Sequence, residues 1–380
     1  MKPLRIFLLV VLLVSTAAAE RIRVTPDGNW RERLTGNSLK PGDELVLAPG
    51  TYSHSAKLEL SHVGTAERPI IIRGEKGAII KRPDARQNTL NLAGTQYLTI
   101  RDLEITGGSA GIRIHKAGDR PAKFVTLEGL HIHHIGGVAI TCNHAGNHYE
   151  GMRFRNNHIH HTSGHGEAFY LGGNEASAIF FNGVVEGNYI HDLNGGKISQ
   201  GDGIELKQGS YSNLVQRNVI VDSKYPGIIV YGTQGKAANV ISKNWIVGSG
   251  DHGIQAASDA VIEHNLIAFS RHDAIHSKPH QGAVPGDLLI RNNTVVLGRG
   301  GNSHFLRVSA DKALSGSIRA TDNNVVKLHG GALLKIPATL DITVENTTVK
   351  PSLRELPKPW FDREHIAWQH TTRAKLLDRK

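Results

Sequence analysis

The sequence predicts an all-β protein, a single-stranded right-handed parallel β-helix (a solenoid) with capped ends, on three observations. One short block containing a fixed Asn returns along the chain. A second block, alternating apolar and polar residues, follows each copy. No 3.6-residue apolar period runs through either.

The first block reads VVEGNYI from Val184, LVQRNVI from Leu214, VISKNWI from Val240, VIEHNLI from Val261 and LIRNNTV from Leu289; an earlier copy, FRNNHI, ends at Ile159. Each places one Asn two residues before a β-branched residue: Asn157, Asn188, Asn218, Asn244, Asn265 and Asn293. The gaps between them are 31, 30, 26, 21 and 28 residues. The shortest suits one turn of three short strands, and the excess goes into loops, as solenoids allow. The repeated Asn is expected to form an interior ladder, each amide bonding the backbone of the next coil at a turn.

The second block has the form Gly/Ala-apolar-x-apolar-x. Its copies start at Gly111, Ala139, Ala168, Gly203, Gly227, Gly253 and Ala274. Period-two alternation marks strands with one buried face. The right-handed sense follows from the preference of parallel crossovers. The open ends need covers. Trp30–Leu34 is the candidate at the start, and the tail at 351–380, with Trp360, Phe361 and Trp368, is the candidate at the end. No long linker divides the chain, so 20–350 reads as one β-helix domain.

Residues 1–19 have the pattern of a cleavable signal peptide. Lys2 and Arg5 are followed by an apolar run from Ile6 to Val14 and an Ala-rich end at Ala17–Ala19. The run is too short to span a bilayer, so no membrane span is expected and the mature chain is placed in the periplasm or outside the cell. One cysteine, Cys142, rules out an internal disulfide, leaving packing and backbone hydrogen bonds to hold the fold. The formal charge is +10, of which the leader contributes two, and favours polyanionic partners. Nucleic acid is not expected, because no Lys/Arg block with interleaved aromatics is present. The expected partner is an acidic polysaccharide, and the expected state a monomer.

The stretch Leu39–Leu47 (LKPGDELVL), then Gly50-Thr51-Tyr52 and Gly64–Ile72 (GTAERPIII), resembles the first coils of the polysaccharide lyases that include alginate lyases and chondroitinase B. From about Gly107 the chain is similar to the broader right-handed parallel β-helix repeat family, the pectin-lyase-like superfamily, which holds lyases, epimerases, hydrolases and non-enzymes. The lyases place a calcium-binding Glu-x-Glu before a catalytic Lys; here the segment reads Asp202-Gly203-Ile204-Glu205-Leu206-Lys207. Tyr231 stands in the region of their catalytic Arg, one coil later.

Stacking the second block in register puts equivalent residues about 4.8 Å apart on successive coils. One outward column then reads Arg113, Thr141, Tyr170, Glu205, Ile229, Gln255, His276; the next reads His115, Asn143, Gly172, Lys207, Tyr231, Ala257, Lys278. Glu167, Asp202, His252 and Asp273 precede the strands. Glu167, Tyr170, Asp202, Glu205, Lys207 and Tyr231 should therefore gather over three coils, with His252, Asp273, His276 and Lys278 as a second group further on.

Such a surface suits β-elimination on a uronate. Lys207, or a Ca²⁺ ion held by Glu167, Asp202 and Glu205, would neutralise the carboxylate. Tyr231, Lys207 or His276 would take the proton at C5 and Tyr170 would protonate the departing oxygen. Lys278 joins these catalytic candidates, and Arg113, Glu205 and His252 are the substrate-binding ones. The same groups would serve C5 epimerisation. A glycoside hydrolase would use two of the carboxylates instead. A non-catalytic polysaccharide-binding or export protein should lean on exposed aromatics, yet aromatic content is only 6%. Finally, His131-Ile132-His133-His134 returns as His158-Ile159-His160-His161 and Tyr189-Ile190-His191-Asp192. That column has the spacing of transition-metal ligands, but it directly follows the Asn, where repeats copy residues for structural reasons.

Overall fold

The computed structural model describes residues 18–298, 303–310, 314–328 and 330–351. The expected signal peptide, up to residue 17, and the expected C-terminal cover, from 352 on, lie outside the described residues. The described chain winds through three parallel sheets of 13, 12 and 11 strands, here sheets I, II and III in the order a coil visits them. One coil runs Arg153–Arg155 in sheet I, His158–Thr162 in sheet II and Phe169–Leu171 in sheet III, and Val184–Glu186 then opens the next coil. Each strand pairs with its equivalent one coil away, for example Phe154 with Val185 and Ile159 with Ile190.

Alternation sets the inside. Ile105, Ile132, Ile159, Ile190, Ile220, Ile246 and Ile267 pair in register along sheet II and are all buried. Burying such a side chain contributes about 1.5–3 kcal/mol, so the stacked interior is the main favourable term. Glycine at the head of a sheet III strand has a steric reason: a Cβ on Gly203 would meet the Gly227 carbonyl oxygen of the next coil at 2.4 Å.

The Asn ladder runs through the turn between sheets I and II. Asn157 Nδ2 donates to Asn188 Oδ1 at 2.9 Å, Asn188 to Asn218 at 2.8 Å, and the chain continues through Asn244, Asn265 and Asn293 to Asn323, each step 3.0 Å. Each Oδ1 also accepts the backbone N–H of the preceding Asn, as Asn218 does from Asn188 at 3.0 Å. The residue before each ladder Asn sits in the left-handed region: Asn156, Gly187, Arg217, Lys243, His264, Asn292 and Asp322, with φ between 53° and 66°. For the non-glycine positions this costs roughly 1–2 kcal/mol each, which the buried amide bonds offset. Asn323 extends the ladder one rung past the sequence list, and Asn213 and Asn239 form a shorter one at the head of sheet I.

At the N-terminal end, Arg21–Val24 pairs with Glu44–Leu47 and so precedes the short helix Trp30–Thr35. Trp30 and Leu34 are buried, and the Trp30 ring meets Tyr52 edge-on at 5.4 Å, so the helix covers apolar surface of the first coils. Among the described residues no helix is long and apolar enough to cross a membrane.

Asn218 is fully buried and shares four hydrogen bonds with Asn188 and Asn244. Asn218→Ala is expected to cost about 3 kcal/mol or more, because it strands the backbone N–H of Asn188 and takes one of the two bonds of its Nδ2; equilibrium denaturation measures it.

Candidate functional site

The site lies on the outward face of sheet III. Arg113, Thr141, Tyr170, Glu205, Ile229, Gln255 and His276 stand in one register column there. Inward Ile204 and Leu206 fix Glu205 outward between them, and Lys207 follows with the same parity. Glu167 and Asp202 sit one above the other at the heads of successive strands, where Ala139 N donates to Glu167 O and Ala168 N to Asp202 O. A cavity of about 320 Å³ opens over these coils, and Glu167, Tyr170, Asp202, Glu205, Lys207, Tyr231 and Lys278 all line it.

Lys207 is at its centre and only 5% exposed. Its Nζ donates to Glu205 Oε1 at 2.6 Å and to the Tyr231 hydroxyl at 3.1 Å. Tyr231 in turn donates to Glu205 Oε1 at 2.6 Å. The ammonium also lies 4.6 Å from the Tyr170 ring centre and 4.5 Å from that of Tyr231, within cation–π range. Removing either Lys207 or Glu205 alone would leave a buried charge without its partner.

Three buried carboxylates surround this one cation. Glu167, Asp202 and Glu205 each offer an oxygen within 4.8 Å of the others. Glu167 Oε2 and Glu205 Oε2 accept no hydrogen bond. Burial, with the Glu205 charge adding to it, pushes Glu167 up to about 7. Burial, then Glu205 and Glu167, holds Asp202 well above the ordinary carboxylate range. The pocket therefore calls for a proton or a further cation. An all-oxygen donor set with unfilled lone pairs fits a hard cation such as Ca²⁺.

The phenols are shifted the other way from a base. Burial and then the Glu205 carboxylate raise both Tyr231 and Tyr170, so each keeps its proton. Tyr231, one of the bases considered from sequence, has the protonation state of an acid. Tyr170 donates its hydroxyl proton to Asn174 Oδ1 at 3.0 Å.

The remaining candidates divide. Lys278 is on the cavity wall with the first group. His252 and His276 are buried beside the cavity in a network of their own: His252 Nε2 is 2.8 Å from His276 Nδ1, and His276 Nε2 is 3.0 Å from Ser309 Oγ. Asp273 there pairs with His304 Nδ1 at 2.6 Å. Burial, then the neighbouring His252, drives His276 down to about 2, leaving it neutral. Arg113 is exposed, two rungs before Tyr170, and does not line the cavity. Sequence reasoning missed the loop residues that wall the site. Gln281 Nε2 donates to Asn174 Oδ1 at 3.0 Å, and the His280 ring lies 4.5 Å from that of Tyr231. Burial, then the Lys278 charge, lowers His280 to about 4.

A family model described as "right handed beta helix region" matches residues 70–238. The chain is a right-handed β-helix. Solved structures similar to this β-helix include an alginate lyase from Paenibacillus sp. str. FPU-7, with a TM-score of 0.56 and 20% identity over 87% of this chain and 99% of that one. A PL6 family polysaccharide lyase from Pseudopedobacter saltans gives 0.59 and 13% identity over 90% and 98%. A pectate lyase gives 0.53 and 13% over 90% and 82%. At these identities the likeness is one of fold. No curated protein matches the sequence.

The Glu167 shift has a stability consequence. A carboxyl raised from 4.5 to about 7 stabilises the fold fully below 4.5 and loses that contribution as pH rises through about 7. In chelator, wild type should lose about 3 kcal/mol between about pH 5 and pH 8 from this group. Glu167→Gln should lose that much less, as read by denaturant titration at both pH values.

Proposed function

We propose that this β-helix is an exported polysaccharide-active enzyme that cleaves an acidic, uronate-containing polysaccharide by β-elimination, the sheet III groove holding the chain. The observation that carries the reading is a buried lysine shared by a carboxylate and a phenol, with two further buried carboxylates beside it. Elimination needs a neutralised substrate carboxylate, a group that takes the C5 proton and a group that protonates the departing O4.

The Lys207 ammonium can pass a proton to the Glu205 carboxylate along their 2.6 Å hydrogen bond, which leaves the neutral amine facing the groove. It takes the C5 proton as the amine, and its position between two aromatic rings fixes its direction. Tyr231 keeps its proton in the resting site and is the donor to O4 as the C4–O4 bond breaks. Lys278 and the exposed face of Tyr170 orient the sugar and its charge. Glu167, Asp202 and Glu205 would hold a calcium ion, which when bound supplies positive charge for the C6 carboxylate. Return of a proton to the opposite face of C5 in place of bond cleavage would make the same site an epimerase. The N-terminal leader pattern supports export to the periplasm or beyond.

One observation favours a second reading. Glu167, at about 7, has the protonation state of a glycosidase general acid, with Glu205 as the partner carboxylate.

The deciding experiment exposes the mature protein to a panel of uronate polysaccharides, with and without calcium, and follows the ultraviolet absorbance of the unsaturated product. Absorbance should rise on at least one substrate. Lys207→Ala should lower the rate at least about 10³-fold and Tyr231→Phe about 10²–10⁴-fold. New reducing ends without unsaturation, abolished by Glu167→Gln, would replace the lyase with a hydrolase.

A further inference from the structure

The outward face of sheet II carries an imidazole array that the groove chemistry does not use. His131 pairs in register with His158, and His133 with His160 and then His191. Rings in register stack, with centres 4.8 Å apart for His131 and His158, 5.2 Å for His133 and His160, and 4.8 Å for His160 and His191. The nitrogens meet on the diagonals: His131 Nε2 is 2.8 Å from His160 Nε2, and His158 Nε2 is 2.7 Å from His191 Nε2. One nitrogen each from His131, His158 and His160 fall within 4.8 Å of one another.

Carboxylates brace the array from both ends. Asp192 Oδ2 is 2.6 Å from His191 Nδ1, and Glu104 Oε1 is 3.1 Å from His133 Nε2. By accepting a hydrogen bond from His191 Nδ1–H, the Asp192 carboxylate fixes the tautomer whose Nε2 lone pair faces His158, and so helps to hold the His158 ring in place. Two facing ring nitrogens need either a proton or a cation between them. Stacking alone does not call for imidazole on this face. The same columns continue as Val219, Trp245 and Leu266, and as Val221 and Val247, which are buried apolar residues.

We propose that His131, His158 and His160 bind one divalent transition-metal ion of the zinc or copper class, with His191–Asp192 and His133–Glu104 as positioning pairs. Neutral imidazole nitrogen suits these borderline ions and not calcium, which takes oxygen. Metal–nitrogen bonds of about 2.0–2.1 Å in a tetrahedral site place ligand nitrogens roughly 3.3 Å apart, so the His131–His160 contact of 2.8 Å would open by about half an ångström. Rotation of side chains on an outer face allows that without moving the coil.

The test is calorimetric titration of the chelator-stripped full chain with Zn²⁺ and, separately, Cu²⁺, with Ca²⁺ as control. Saturation at one ion per chain with micromolar or tighter affinity is expected, unaffected by excess Ca²⁺. The double variant His158→Gln, His160→Gln should abolish it, and Asp192→Asn, which leaves every ligand in place, should weaken it about 10–100-fold. Circular dichroism checks that both variants fold. Absence of saturable binding would overturn the proposal. So would binding that survives the double variant, or binding lost in Glu167→Gln, which would move the ion to the groove.

Discussion

Everything in this molecule depends on the stacking of one coil on the next, and the asparagine ladder is the interaction that keeps that stacking in register. A parallel coil must turn three times per revolution, and each turn takes backbone groups out of the sheet ladders. Between sheets I and II those groups are buried, so they need partners inside the protein. From Asn157 to Asn323 one amide per rung supplies them, bonding the backbone of the preceding coil and the amides of its neighbours in the ladder. The left-handed residue before each Asn is the local strain that the arrangement accepts. With the turn fixed, the inward isoleucines superpose and the outward faces become columns of chosen side chains.

The groove exploits that geometry against electrostatic preference. Four ionisable groups, Glu167, Asp202, Glu205 and Lys207, stand on neighbouring rungs and are all 5% exposed or less. Water cannot screen them, so each charge is set by its neighbours. The lysine is shared between Glu205 and Tyr231, and the two other carboxylates are driven towards their protonated forms. Such a site holds its polar groups ready at the expense of stability, which is the usual condition of a site built for chemistry or for an ion. The histidine array on sheet II follows the same rule with softer ligands. Repetition at one coil spacing brings like groups together that would otherwise keep apart.

Much of this was legible in the chain. The period of the Asn block gave the coil, and the alternation in the second block gave the column from Arg113 to His276 residue by residue, because strand pairing repeats one backbone geometry. The grouping of Glu167, Tyr170, Asp202, Glu205, Lys207 and Tyr231 followed from that column. Other features were not legible. Register alone groups Lys278 with His252 and His276, yet Lys278 lines the cavity of the first group while the two histidines lie in a buried network beside it. Asn174, His280 and Gln281 come from loops whose lengths vary from coil to coil, so no spacing announces them.

The sequence by itself therefore determined the coil, its register and which side chains share a column, since these rest on a local period that each repeat restates. Tertiary structure alone decided which of those side chains lose contact with water. An outward position in a strand reads as solvated, but Lys207 is buried between the Tyr170 and Tyr231 rings, in a cavity that Asn174, His280 and Gln281 also wall. The bond from Gln281 to Asn174 joins residues 107 apart in the chain. The protonation of Glu167, Asp202 and Tyr231 rests on burial and on the charges of neighbouring rungs, and how deeply an outward side chain is buried is not written in the local pattern.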